Sequence, residues 1–275
     1  MVHPVPLSDF RAMRHKLDPD DFALSDGPDP PASDLVEEEV WAGITHLPDD
    51  VAIRTSDHNG VRLTLLYSLW GDWITATGDD TEPDEVFAAM LDAVGAFQCA
   101  TFLYLHGYYR AAMSELRVVL EQVIMGTFGN LWPTDPDYKK WRNGDPELPL
   151  TRLRKRMESR LRKTQCKWFF ADGEILQTTF QGLSDFTHSR PHSSDAALWE
   201  SNGPVYAHDA AMRVFKTTVS VYAICYLLVR IARPDFALPP DSRILFEEEW
   251  IPGRQAIATA FEQLYGEPAS VADAH

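Results

Sequence analysis

The sequence has little cysteine, and its three cysteines are far apart. Cys99, Cys166 and Cys225 form no Cys-x-x-Cys pair within the 275 residues. This excludes a disulfide scaffold and a cysteine-rich zinc module, because both need closely spaced cysteines. Free thiols are typical of a reducing compartment, so we expect a cytoplasmic protein.

The sequence also lacks a long uncharged apolar run. The best candidate, residues 217–229, is shorter than the roughly 18 residues of a membrane span and is bracketed by Lys216 and Arg230. The first residues lack the charged and apolar regions of a secretory signal. We therefore expect no membrane partner. A glycine-rich phosphate loop and a Gly-x-Ser-x-Gly elbow are missing too.

Positive charge is scarce overall but concentrated in one segment. The chain has 25 Lys and Arg against 41 Asp and Glu, a formal net charge of −16, which disfavours nonspecific binding to nucleic acid. Residues 139–167 are the exception, with eleven Lys or Arg and three acids, or +8. The remainder of the chain then carries −24.

Apolar residues recur with helical spacing along most of the chain, and few runs alternate as a strand would. This predicts an all-α fold with one helical-bundle domain over residues 61–265, including a basic insert at 130–170. An acidic, proline-rich arm (1–60) precedes the bundle, and a frayed tail (266–275) follows it. The predicted helices cover residues 61–78, 83–105, 108–128, 148–163, 172–188, 205–232 and 241–265.

Gly107 predicts a tight corner that makes an antiparallel hairpin of the helices 83–105 and 108–128. Thr81 can cap the first helix, and Gly129 predicts the end of the second. The helix 205–232 is apolar on almost all sides, so we expect it to be the central, best-buried helix.

The second helix of the hairpin carries a narrow polar stripe between two apolar arcs. Because apolar residues flank the stripe, we expect it to be partly buried, where charged groups must be paired. One interpretation is an internal ion pair that fixes the helix register. The other is the lining of a ligand- or partner-binding site. The stripe consists of Arg110, Ser114, Arg117 and Glu121.

A histidine-rich turn follows the helix 172–188. A metal site there would use Asp185, His188, His192 and Asp195, which are spaced three, four and three. However, Pro191 breaks the helix between the histidines, and no Glu follows His188 as in zinc proteases. We therefore predict no metal, and a metal-dependent hydrolase at Asp185, His188 and His192 is the less favoured alternative. A further interpretation pairs His188 with an internal carboxylate.

The basic segment 139–167 can be interpreted in two ways. It can hold the protein's own acidic arm, in the same chain or in a partner subunit. It can also bind RNA or DNA phosphates, with Trp141 and Trp168 as stacking platforms. Basic neighbours of Cys166 would lower the pKa of its thiol. The candidate ligand- or partner-binding residues of this segment are Arg152, Arg154, Lys155 and Arg156.

Two of these segments together resemble a known family. Residues 114–121 (Ser-Glu-Leu-Arg-Val-Val-Leu-Glu) are followed, after the insert, by residues 183–188 (Leu-Ser-Asp-Phe-Thr-His). This resembles HEPN-like helical-bundle proteins of bacteria, in an uncharacterised branch with a Leu-Arg-x-x-x-Glu helix and a later Leu-Ser-x-x-x-His helix end. The resemblance covers roughly residues 84–232.

The resemblance implies an up-down helical bundle that is usually dimeric. The family includes metal-independent ribonuclease toxins, antiviral or abortive-infection effectors and inactive scaffolds. Its nucleases carry an Arg, then four to six residues, then a His. No pair in this sequence has that spacing, and one residue separates Arg190 from His192.

We therefore expect a homodimer without a cofactor whose leading function is regulatory or defence-associated partner binding. The alternative is a metal-independent ribonuclease that uses Arg190 and His192, with His188. A histidine could act as general acid or base, and the arginine could stabilise a pentavalent phosphate. The polar stripe would then face the 188–192 turn across the bundle.

Overall fold

The computed structural model describes residues 38–78, 84–143, 150–187, 203–246 and 248–266. The secondary structure of these residues is helical, without a strand, which confirms the all-α class. Two short 3-10 turns, Lys163–Gln165 and Lys167–Phe170, follow the basic helix. The α-helices are α1 (Glu38–Gly78), α2 (Glu85–Leu105), α3 (Tyr109–Leu131), α4 (Pro136–Arg142), α5 (Leu150–Arg160), α6 (Ile175–Thr187), α7 (His208–Ala232), α8 (Pro240–Phe246) and α9 (Arg254–Tyr265).

The chain divides into two compact units, residues 1–42 and 43–275. Of the first unit, the described residues comprise only the start of α1. All the other helices belong to the second unit.

Helix α1 runs from Glu38 to Gly78. The sequence pattern predicts a short helical piece around residues 35–43 and a bundle helix from Val61. It misses the helical residues between these two because Pro48 and several turn-forming residues hide the helical pattern. Val51 and Asn59 are buried nevertheless. Tertiary packing of these side chains outweighs the low helix propensity of the segment.

The predicted hairpin joins α2 and α3. Gly107 forms its corner with a φ of +77°, which side chains rarely allow, and a Cβ there would lie 2.5 Å from the carbonyl oxygen of Val205. The start of α2 differs from the prediction, because the N-cap is Asp84 and not Thr81. The Asp84 carboxylate accepts a hydrogen bond from the Phe87 N–H at 2.8 Å.

Helix α3 continues to Leu131, past the break predicted at Gly129. Its two glycines serve close packing. A Cβ on Gly126 would collide with Ala89 of α2, and a Cβ on Gly129 would collide with the ring of Tyr138 in α4. Close approach of these neighbours explains why glycines that favour a break lie within a helix.

Helix α7 is the central helix, as predicted, and its residues 218–229 are all buried. Aromatic contacts join it to α1 and α2. Tyr222 stacks on Phe97 with ring centroids 3.7 Å apart, and Tyr226 meets Trp73 edge-on at 5.1 Å. One aromatic cluster therefore joins three helices in a single core.

The predicted last helix, 241–265, is in fact two helices, α8 and α9. The segment between them ends at Gly253, which has a φ of +75° and packs against Ile175. The carbonyl of Pro252 accepts a hydrogen bond from the Ser220 hydroxyl at 3.1 Å. Proline followed by a left-handed glycine is not compatible with a continuous helix. The Pro252-Gly253 pair is visible in the sequence, but the apolar periodicity on both sides of it led to the prediction of one helix.

Candidate functional site

Most residues predicted for catalysis or metal binding lie outside the described part of the chain. These are His188, Arg190, His192 and Asp195, whose roles stay predictions. Asp185 is half-buried in α6. Within the described ranges, no group of three or more His, Cys, Asp and Glu side chains is placed to hold a metal ion.

The polar stripe of α3 is half-buried, as predicted, and helix α6 packs on it. The Arg117 guanidinium donates a hydrogen bond to Glu121 at 2.9 Å and lies 5.3 Å above the ring of Phe180. Arg110 Nε donates to the main-chain carbonyl of Phe186 at 3.2 Å. These contacts favour the internal ion pair over an open ligand site.

The contact of Arg110 also bears on the predicted catalytic turn. Phe186 lies in the last turn of α6, directly before the 188–192 segment. One end of the stripe therefore contacts a residue that lies two positions before that segment. Whether the side chains of the segment face the stripe stays a prediction.

Arg154 of the basic helix is buried and forms hydrogen bonds within the fold. Its side chain is 3% exposed and donates hydrogen bonds to the carbonyl of Phe170 and to the carboxylate of Asp172. A buried guanidinium that binds main chain is a structural group. Its position does not suit the surface contact predicted for it.

Asp135 is the centre of an ion cluster that ties α4 to α5. Its buried carboxylate accepts hydrogen bonds from Arg156 at 3.1 Å and from Arg160 at 2.8 Å. Its neighbour Asp137 pairs with Arg152 at 3.1 Å and also with Arg156. The basic helix is thus tied to carboxylates of its own insert.

The charge state of Asp135 follows from these contacts. Burial opposes its ionisation, but the hydrogen bonds from Arg160 and two backbone N–H groups, with the charge of Arg156, outweigh that effect. The pKa of Asp135 is therefore lowered. The carboxylate stays charged at neutral pH and holds the arginines in place.

Part of the basic segment is not used by the insert's own carboxylates. Among the described residues, five of its cations are exposed and have no ion pair: Lys139, Lys140, Lys155, Arg162 and Lys163. Of the two predicted stacking platforms, Trp168 donates to Gln263 Oε1 at 2.9 Å, and Trp141 stacks on Tyr138. The arginines paired with Asp135 and Asp137 hold the insert together, and phosphate binding by the exposed cations stays a prediction.

The Cys166 thiol is not activated. It is fully buried, and burial raises its pKa to about 12. The lowered pKa expected from its basic neighbours is therefore wrong, because exclusion from water outweighs charges on side chains that point to solvent.

An exposed apolar surface on α2 was missed by the sequence analysis. Leu91 and Phe102 are 48% and 58% exposed, although the apolar pattern assigns this helix to the core. Gly95, Gln98 and Cys99 lie between them within a 100° arc and are exposed too. We call these five residues the α2 outer face.

The neighbouring helix extends this apolar surface. Ala111 and Val118 of α3 are exposed, and the charge of Glu115 acts on Cys99. The sequence signal was an apolar residue on every side of α2, but a helical wheel alone does not tell which side meets the core.

Two described helices, α2 and α7, are long and apolar enough to cross a membrane by length and composition. In α7, 83% of the apolar window is buried within the fold, as in the core helix of a soluble protein. In α2 the buried share is 33%. The apolar character of α2 therefore exceeds what packing within the described chain uses.

Comparison of the chain with models of protein families, with curated proteins and with solved structures gives no match to any of them.

Proposed function

We propose that this chain is a non-catalytic helical binding protein that acts through protein–protein contact at the α2 outer face. The bundle is HEPN-like and up-down in this proposal, and its role is regulatory or defence-associated. The single observation that carries the proposal is the exposure of Leu91 and Phe102 on an apolar helix. Burial of one such side chain contributes about 1.5–3 kcal/mol.

The occupant of the face is a second copy of the chain. An antiparallel pairing about a dyad between residues 96 and 97 places Leu91 opposite Phe102 and Gly95 opposite Gln98. Large side chains then meet at both ends, and near the centre each Gly95 leaves room for the Gln98 side chain opposite it. Such self-complementarity is what an isologous interface requires.

Gly95 supports close approach at the centre of this contact. A glycine within a helix costs about 1 kcal/mol relative to alanine, so its presence needs a reason. The described part of the chain supplies none, because a Cβ on Gly95 would meet nothing within 4 Å there. A second helix that crosses at this point would use the space that the missing side chain leaves.

Charge also favours a second copy at this face over contact elsewhere. Each chain carries −16, so two copies repel each other over most of their surface. Helix α2 carries only two charged residues, Glu85 and Asp92. The α2 outer face itself has none, which makes it a surface where two like chains can meet.

Cross-linking through Cys99 tests this function. In the proposed register, Cys99 lies opposite Val94, so the two Cys99 residues of a dimer are about 7.5 Å apart along the helix axis. A bis-maleimide with a short spacer should link them. Cys166 and Cys225 are buried and should not react in the folded protein.

The matched variants make the result specific. Phe102→Glu should abolish the cross-linked dimer, whereas Ile244→Glu, at an equally exposed position of α8 (61%), should leave it. Cys99→Ser is the reagent control. Equal cross-linking in the wild type and Phe102→Glu would refute the proposed face.

A further inference from the structure

Helix α1 is kinked at a buried asparagine. Asn59 has a φ of −132° and a ψ of 23°, which interrupts the helical backbone. Its side chain is 1% exposed. The amide donates to the Tyr206 hydroxyl at 3.3 Å and accepts from Arg62 at 2.7 Å. The kink is therefore fixed by specific hydrogen bonds.

A cleft of about 630 Å³ opens at this kink, between α1 and α7. Its volume lies in the range typical of small-molecule sites, roughly 300–1,000 Å³. The lining residues on the far side from the kink are Met212, Phe215, Lys216 and Trp250.

Two cationic side chains line the cleft without a carboxylate partner among the described residues. Arg62 and Lys216 both line it. The described contact of Arg62 is with the neutral Asn59 amide, and no described carboxylate pairs with Arg62 or Lys216. Asp57 lines the cleft as well, but it is exposed to solvent. Two cationic side chains that converge on one cleft suit an anionic ligand.

The opposite wall offers a flat aromatic surface. The Trp250 ring stacks on Phe215 with centroids 5.2 Å apart and an angle of 23°, so its orientation is fixed. Near the kink, His58 stacks on Tyr206 at 5.1 Å. Rings held in this way are suited to stacking against a planar ligand.

We propose that this cleft binds a small planar aromatic anion. The ring lies against Trp250, and the anionic group, a carboxylate or a phosphate, binds Arg62 and Lys216. Both groups supply N–H donors to such an anion, and charge-assisted bonds of this kind are stronger than neutral ones. The site is separate from the α2 outer face and does not depend on the proposed self-association.

Calorimetric titration of the full chain tests the proposal. The probes are benzoate and adenosine monophosphate, with cyclohexanecarboxylate and inorganic phosphate as matched anions without an aromatic ring. At least one aromatic probe should bind, and its non-aromatic match should bind about tenfold more weakly or not at all. Binding of benzoate identifies a carboxylate ligand, and binding of the nucleotide alone identifies a phosphate ligand.

Three variants connect this binding to the cleft. Lys216→Gln should weaken the binding of the aromatic probe about tenfold, because one charge-assisted bond is lost. Trp250→Leu should remove the difference in affinity between the aromatic probe and its non-aromatic match. Lys155→Gln, on the surface of α5, should change neither. Circular dichroism confirms that each variant is folded.

Two results would overturn the proposal. One is the absence of binding by both aromatic probes. The other is binding that Lys216→Gln does not weaken, or that the non-aromatic anions match in affinity.

Discussion

Arg160 donates a hydrogen bond of 2.8 Å to Asp135, whose side chain is 4% exposed. Asp135 is at the same time the N-cap of α4, where it accepts from the N–H of Asp137. One carboxylate therefore starts a short helix and anchors a second one. Two arginines of the basic segment, Arg156 and Arg160, are therefore held by a carboxylate of the same insert.

Removal of the Asp135 carboxylate should destabilise the protein. Asp135→Ala deletes the helix cap and leaves Arg156 and Arg160 without their shared partner, at a cost of about 2–3 kcal/mol. Urea denaturation followed by circular dichroism measures the free energy of unfolding. Glu249→Ala, at an exposed position, should change it by less than about 0.5 kcal/mol.

The same variant should show a defined pH dependence. Because the pKa of Asp135 is lowered in the folded state, its stabilising contribution is complete above the unfolded pKa of about 3.9. It is lost as the pH falls through the lowered pKa. The stability difference between the wild type and Asp135→Ala should therefore shrink in acid. A difference that grows below pH 4 would show that the ion cluster is not its source.

Arg154 and Lys155 are neighbours with opposite expected behaviour. Arg154→Met leaves the Phe170 carbonyl without its donor and should destabilise the protein by about 1–3 kcal/mol. Asp172, the other partner of Arg154, is 69% exposed, so this ion pair contributes little to the free energy of unfolding. Lys155→Met should be neutral within about 0.5 kcal/mol. Equal stability of the two variants in urea would mean that Arg154 is not anchored in the fold.

Cys99 should be the reactive thiol, but a slow one. Cys99 lies at the surface, but its thiol is partly shielded from water, and this partial desolvation and then the charge of Glu115 raise its pKa. The thiolate fraction near neutral pH is therefore smaller than for an unperturbed cysteine. Its alkylation rate should rise with pH, and Glu115→Gln should speed it at fixed pH. Mass spectrometry of the modified protein measures this. Faster modification of Cys166 or Cys225 in the native protein would contradict their burial.

The spacing of apolar residues and the positions of turn-forming residues predicted the main helices of the fold. The α2–α3 hairpin, its corner at Gly107 and the burial of α7 follow from local apolar patterns and one left-handed glycine. The errors arose where long-range packing determines the local structure. Gly129 lies within α3 because Tyr138 packs against it. Helix α1 passes Pro48 because one side of its next turns is buried, at Val51, Thr55 and Asn59.

The two surfaces to which we assign proposed functions were harder to predict than the helices. Periodicity shows that α2 is apolar, but only the packed fold shows that Leu91 and Phe102 face outward. The cleft at Asn59 joins residues of α1 to Lys216 and Trp250, which are far away in sequence. The internal role of Arg154 was equally hidden, because a charged residue on a charged helix gives no local sign of burial.

The ribonuclease alternative is tested in cells. Expression of the wild type should cause no growth arrest and no loss of total RNA, because the proposed function is non-catalytic. The double variant Arg190→Ala/His192→Ala should behave identically. Growth arrest with RNA cleavage in the wild type alone would establish a nuclease in spite of the unusual spacing of this pair.

The most direct test of the central claim is the molar mass in solution, measured by light scattering over a series of protein concentrations. The account predicts twice the chain mass for the wild type and for Ile244→Glu, and a single chain mass for Phe102→Glu with an unchanged helical spectrum. A wild type that stays at a single chain mass throughout, or a Phe102→Glu variant that stays dimeric, would contradict self-association through the α2 outer face.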